Sequence, residues 1–224
     1  MAQIVFISEK NRERYLRIIG PVGDFFAHTS VHPNILSVAG LLLSIIAGLL
    51  YSHGRFFWAA WFVVLAGICD TLDGQIARRT NKRSAFGAFF DSTLDRYSDM
   101  FFLIGLAYHF AGGQGFLGLH SGGTRMESSP WIVLVITLAI AGSFMVSYTR
   151  ARAEGLGMEC KGGLMQRPER ITLLIIGSLL GSIPMVGSTV IKITLLVLAI
   201  SANLTAISRI FFIRNHLFSE TQVK

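Results

Sequence analysis

Residues 56–110 read FFWAAWFVVLAGICDTLDGQIARRTNKRSAFGAFFDSTLDRYSDMFFLIGLAYHF. Two apolar runs flank a basic turn, and four carboxylates, Asp70, Asp73, Asp91 and Asp95, lie on the approaches to it. Asp70 and Asp73 are three residues apart and Asp91 and Asp95 four apart, so on helices each pair projects from one face. Asp73 and Asp70 stand eight and eleven residues before Asn81, the centre of the turn, and Asp91 and Asp95 ten and fourteen after it. At about 1.5 Å rise per residue, an antiparallel hairpin brings both pairs to similar depth. The expectation is one acidic pocket built by two neighbouring helices.

Burying an acidic side chain at the centre of a membrane helix costs roughly 2.5–3.5 kcal/mol on insertion scales, less near the interface. Four clustered carboxylates also repel one another, so a positive group has to compensate. An oxygen-only donor set suits a hard cation, Mg²⁺ or Mn²⁺ rather than Zn²⁺. Gly74 and Gly87 remove side chains one position after Asp73 and one helical turn before Asp91, which lets a substrate or another helix come close. Helix capping, or pairing with Arg78, Arg79, Lys82 and Arg83 in a solvated loop, would account for a single aspartate. It does not account for four at paired helical spacing beside two glycines.

The rest of the chain supplies the setting. Of 224 residues, 52% are hydrophobic and 15% charged, and the mean hydropathy is positive; this is the composition of a polytopic membrane protein. The expected fold is all-α and integral to the membrane. Its six transmembrane helices fall near 34–51, 56–78, 85–111, 130–151, 170–185 and 189–211, each close to the length that crosses a bilayer. Ahead of them, Tyr15, Ile18, Ile19 and Val22 recur at helical spacing among Lys10, Arg12, Arg14 and Arg17, the pattern of an amphipathic juxtamembrane helix. The expected division is 1–30 for that segment, 31–214 for the membrane domain and 215–224 for a C-terminal tail. The first thirty residues hold no uninterrupted apolar run before a small-residue cleavage site, so no cleaved leader is expected.

An even number of spans puts both termini on one side. Most Lys and Arg residues then fall on that side, with Arg55, Arg125 and Lys192 toward the other, which makes the basic face cytoplasmic. The net charge of +7 therefore marks loops and anionic lipid contacts. Nucleic acid is not an expected partner, because the basic residues bracket apolar spans and form no continuous stripe. The Gly-rich stretch 112–129 reads as an external loop without catalytic content. Cys69, in an apolar run, and Cys160, in a basic loop, have no reason to pair.

The pattern D-x2-D-G-x2-A-R-x8-G-x3-D-x3-D is matched at every defined position by Asp70, Asp73, Gly74, Ala77, Arg78, Gly87, Asp91 and Asp95. It resembles the signature of the CDP-alcohol phosphotransferase family, whose members have six membrane helices preceded by a juxtamembrane amphipathic segment. The resemblance implies that Asp70, Asp73 and Asp91, with Asp95 contributing, bind two Mg²⁺ or Mn²⁺ ions that grip the pyrophosphate of a CDP-lipid, either CDP-diacylglycerol or CDP-archaeol. It implies that Asp95 is also the general base, that Gly74 and Ala77 face the cytidine, and that Arg78 neutralises donor phosphate. Pro33, Asn34 and Ser37 look similar to a second family element beside the nucleotide. The family further implies a homodimer in the lipid bilayer.

Ser147-Tyr-Thr-Arg150-Ala-Arg152-Ala-Glu154 and Gln166-Arg167-Pro-Glu169-Arg170 add a basic cluster on the same face. Arg150, Arg170 and Arg209, from three spans, are the candidate acceptor-phosphate residues, since an arginine fork grips phosphate bidentately. Anchoring of helix ends to lipid head groups is the plainer reading; Arg209 argues against it by lying within an apolar run, where an unpaired charge is costly. These segments look like the branch of the family that makes phosphatidylinositol phosphate or its archaeal ether-lipid counterpart, with inositol phosphate as acceptor. Glycerol-3-phosphate would need a basic pocket too and is the alternative acceptor. An intramembrane cation transporter would share the aspartates, but it leaves the Gly74, Ala77 and Arg78 spacing unexplained.

Overall fold

The computed structural model describes residues 32–80, 82–113, 128–160, 163 and 165–221. Six helices lie among these residues: α1 (Pro33–Ser52), α2 (Phe56–Arg79), α3 (Ala85–Phe110), α4 (Pro130–Glu154), α5 (Arg167–Gly181) and α6 (Gly187–Thr221). The amphipathic segment expected over 1–30, Asn81, most of the Gly-rich loop and the last residues of the C-terminal tail lie outside the described residues.

Local chemistry sets the helix starts. Pro33 occupies the first turn of α1 behind His32, whose side chain accepts from the Asn34 N–H at 3.3 Å, and proline there loses no needed donor. Ser84 caps α3 by accepting from the Gly87 N–H at 2.9 Å, the usual role of an N-cap serine. Pro130 opens α4 and Pro168 lies in the first turn of α5.

Four of the helices, α1, α2, α4 and α6, are long and apolar enough to cross a membrane. Their outward faces carry Leu42, Ile46, Trp58, Trp61, Leu134, Leu138, Ile193 and Ile200, all exposed, and so much apolar surface fits a lipid surround. The chain is a multi-pass membrane protein. α3 is long but carries Asp91, Asp95, Arg96 and Asp99 in its first fifteen residues, and α5 has only 15 residues.

The packing closes into a ring in which α1 touches α2 and α3, α3 touches α4, α4 touches α6, α6 touches α5, and α5 touches α2. Tyr51, Val63, Phe102, Ile136, Leu174 and Leu195, one from each helix, belong to one buried core. The two acid-bearing helices were expected to be packed neighbours. Among the described residues each packs instead along α1, which lies between them. Small residues make this possible: a Cβ on Gly48 would stand 2.5 Å from the Phe101 carbonyl oxygen, and one on Gly105 would collide with the Gly48 backbone. The backbones of α1 and α3 thus cross in direct contact. On its other side α1 presents Gly40 to Cys69 and Ala66 of α2.

Replacing Gly105 by Val is expected to lower the thermal unfolding midpoint in detergent sharply, because no side chain can yield where backbone meets backbone. Gly67, which has nothing within 4 Å of a built Cβ, is the control: Gly67→Ala should leave the midpoint unchanged or raise it.

Candidate active site

With α1 between them, α2 and α3 leave a gap, and the carboxylates meet across it. One oxygen from each of Asp70, Asp91 and Asp95 lies within 4.8 Å of the others. Two helices that are not packed together thus deliver ligands to one point, as the spacing about the turn predicts. Asp73 lines the same cleft but turns toward α1, where it accepts a 2.5 Å hydrogen bond from Ser37 Oγ. It is 4% exposed, and Ser37 is its side-chain partner there, beside the Gly74 backbone. Asn34 lies close to Gly87 at the start of α3. The element Pro33, Asn34 and Ser37 therefore borders the acidic cluster, although it is far from it in sequence.

Gly74, Ala77 and Arg78 follow on α2 toward its end. The Arg78 guanidinium lies across Gly74, with Nη1 3.4 Å from where a Cβ would stand, and Arg78 itself is exposed. An alanine Cβ at 74 would touch that guanidinium at ordinary contact distance.

The cluster is balanced by a residue that the sequence placed only in the basic cluster and not among the candidate site residues. Arg167, at the start of α5, places Nη1 3.0 Å from Asp70 Oδ1 and 2.8 Å from Asp95 Oδ1. Its Nε lies 3.5 Å from Asp99 Oδ1, and Asp99 Oδ2 accepts from Arg170 Nη2 at 2.8 Å. Asp99 was also missed. Both were legible by register: Asp99 continues the four-residue spacing of Asp91 and Asp95, and Arg167 lies three residues before Arg170, so each shares a helix face with a residue already of interest.

The three acceptor-phosphate candidates converge in part. Arg209 is 4% exposed, donates through Nη1 to the Val146 carbonyl, and lies within electrostatic range of Arg150 and Arg170. Arg170 is buried on Asp99, whereas Arg150 is half exposed and pairs with Glu154 at 2.8 Å. Just before α5, the Met165 N–H donates to Thr205 Oγ1 of α6 at 3.1 Å.

Chemically, the cleft lined by Ser37, Asp70, Asp73, Asp91, Asp95 and Arg167 encloses about 20 Å³, room for one water-sized occupant. Its acceptors are all hard oxygens. Such a set fits a divalent cation of the magnesium or manganese kind, beside arginines suited to phosphate.

A model of the family described as CDP-alcohol phosphatidyltransferase matches residues 30–212. The archaetidylinositol phosphate synthase of Methanothermobacter thermautotrophicus is 35% identical over 201 residues, 90% of this chain and 91% of that protein. The crystal structure of a Mycobacterium tuberculosis phosphatidylinositol phosphate synthase with CDP-DAG bound superposes with a TM-score of 0.74 at 27% identity, over 87% of this chain and 92% of that one. The same enzyme in complex with manganese and citrate gives 0.74 at 26% identity, over 86% and 87%.

Ser37→Ala takes from the buried Asp73 carboxylate its side-chain partner. The expected loss of stability is about 1–3 kcal/mol, seen as a lower unfolding midpoint in detergent; an unchanged midpoint would contradict the role given to that hydrogen bond.

Proposed function

The chain belongs to the CDP-alcohol phosphatidyltransferase family, and we propose that it transfers the lipid-phosphate group of a CDP-lipid to a hydroxyl of inositol phosphate, releasing CMP, in membrane phospholipid synthesis. The observation that carries this reading is the meeting of Asp70, Asp91 and Asp95 within 4.8 Å on the family's own motif. The inositol phosphate acceptor is supported by the names of the relatives, one archaeal and one bacterial. The donor is CDP-diacylglycerol or its archaeol counterpart, and the CDP-DAG-bound relative supports a donor of this class.

Asp70, Asp73, Asp91 and Asp95 would hold two divalent cations, Mg²⁺ or Mn²⁺, consistent with the manganese-bound relative. When bound, such a pair supplies charge neutralisation of the donor pyrophosphate and of the departing CMP. The protein's own residues do the rest. Gly74 and Ala77 leave space for the cytidine, Arg78 pairs with donor phosphate, and Pro33, Asn34 and Ser37 border the nucleotide. Arg150, Arg170 and Arg209 hold the acceptor's phosphate. The acceptor hydroxyl attacks the phosphorus on the lipid side and its proton passes to Asp95; the new P–O bond forms as the bond to CMP breaks.

In this reading α3 and α5 complete a six-span membrane domain over 31–214, between an amphipathic segment over 1–30 and a short tail over 215–224. The basic face, the site and both termini face the cytoplasm in keeping with the distribution of Lys and Arg, and the working unit is a homodimer.

Purified protein in detergent with CDP-diacylglycerol and Mg²⁺ should release CMP with inositol phosphate but not with free inositol or serine. Saturable turnover with glycerol-3-phosphate alone would refute the acceptor, and no CMP release with any acceptor would refute the reaction. Asp95→Asn should keep cation and donor binding while turnover falls by about 100-fold or more. Activity within a few-fold of the parent would remove Asp95 as the base.

A further inference from the structure

Arg167 serves three carboxylates with one guanidinium. Its Nη1 sits within hydrogen-bond distance of Asp70 and Asp95, two of the three residues whose oxygens gather at the candidate cation site. A divalent cation on those oxygens would lie against a second full positive charge in a half-buried cleft, where repulsion is strong. Guanidinium and cation therefore compete for the same acceptors.

The structure also offers the guanidinium somewhere to go. Asp99 Oδ1 and Arg167 Nε are buried and make no hydrogen bond, although they lie only 3.5 Å apart. A shift of roughly half an ångström would bring them to ordinary hydrogen-bond distance. Asp99 is itself held by Arg170 through its other oxygen. A network left half satisfied in this way is poised between two arrangements.

We infer that Arg167 is a displaceable counter-cation of the acidic cluster: it balances Asp70 and Asp95, and yields them to a divalent cation by settling on Asp99. This rests on the reading of Asp70, Asp91 and Asp95 as cation ligands. Asp99 is then the positioning residue of the exchange, and because it also holds Arg170 it links the cation site to an arginine placed for the acceptor's phosphate.

If Arg167 were only a structural tie from α5 to α2 and α3, removing it would loosen the cluster and weaken cation binding. The counter-cation role predicts the opposite sign. Mn²⁺ binding to the full chain in detergent, followed by calorimetry or by the signal of free Mn²⁺ in electron paramagnetic resonance, separates the two. Arg167→Gln should tighten Mn²⁺ by about five-fold or more. Asp99→Asn should weaken Mn²⁺ in the parent yet have little effect in the Arg167→Gln background, the mark of two residues acting through each other.

Equal or weaker Mn²⁺ binding by Arg167→Gln, or the same Asp99→Asn effect in both backgrounds, would overturn the inference while leaving the cation site in place. A parent protein that binds no Mn²⁺ would overturn both. Should Arg167→Gln fail to fold, a crystal structure of the parent with Mn²⁺ decides. Arg167 Nη1 is expected off Asp70 and Asp95 and its Nε on Asp99, and an unmoved guanidinium beside a bound ion would sink the idea.

Discussion

Four carboxylates on the polar halves of α2 and α3 repel one another, and the rest of the fold is arranged around that repulsion. Packed directly together, α2 and α3 would press Asp70, Asp91 and Asp95 into contact with no room for a counter-charge. The chain avoids this by laying α1 between them, touching α3 at Gly48 and Gly105 and α2 at Gly40. The gap that remains is floored by α1, where Ser37 satisfies Asp73, and is reached by Arg167 from α5. The better buried pair, Arg170 with Asp99 at 2.8 Å, ties α5 to α3, and removing one partner from a buried pair of this kind costs roughly 3–5 kcal/mol.

The ring of helices separates two tasks. Its outward faces are apolar and exposed, suited to lipid, while the polar side chains turn inward and gather between α1, α2, α3 and α5. An anionic head group and a charged acceptor can then meet inside the protein while the lipid tails stay outside. Arg170 on α5 and Arg209 on α6 bury positive charge inside the same ring.

Much of this was legible in the sequence because membrane helices announce themselves by length and apolarity. The ends of α1, α2 and α3 fall within a residue of those expected, and the convergence of Asp70 with Asp91 and Asp95 follows from counting outward from the turn. The position of α1 was not legible. Gly40, Gly48 and Gly105 are visible as small residues, but sequence does not say which backbone each one meets. α5 begins at Arg167 rather than Arg170 and stops at Gly181, and α6 runs on to Thr221. Polar residues at a helix end hide its boundary from a hydropathy reading, and for that reason Arg167 was read only as a member of the basic cluster before the span. Asp99 was overlooked for another cause: its role depends on two arginines about seventy residues away that only folding brings near.

In the proposed reaction a carboxylate-held cation grips the donor pyrophosphate. The most direct test of that grip is equilibrium binding of CDP-diacylglycerol to the purified protein with Mg²⁺ and with a chelator. Saturable binding that requires the divalent cation and is lost in Asp91→Asn is the predicted result. Equal binding in the chelator, or binding untouched by Asp91→Asn, would contradict it.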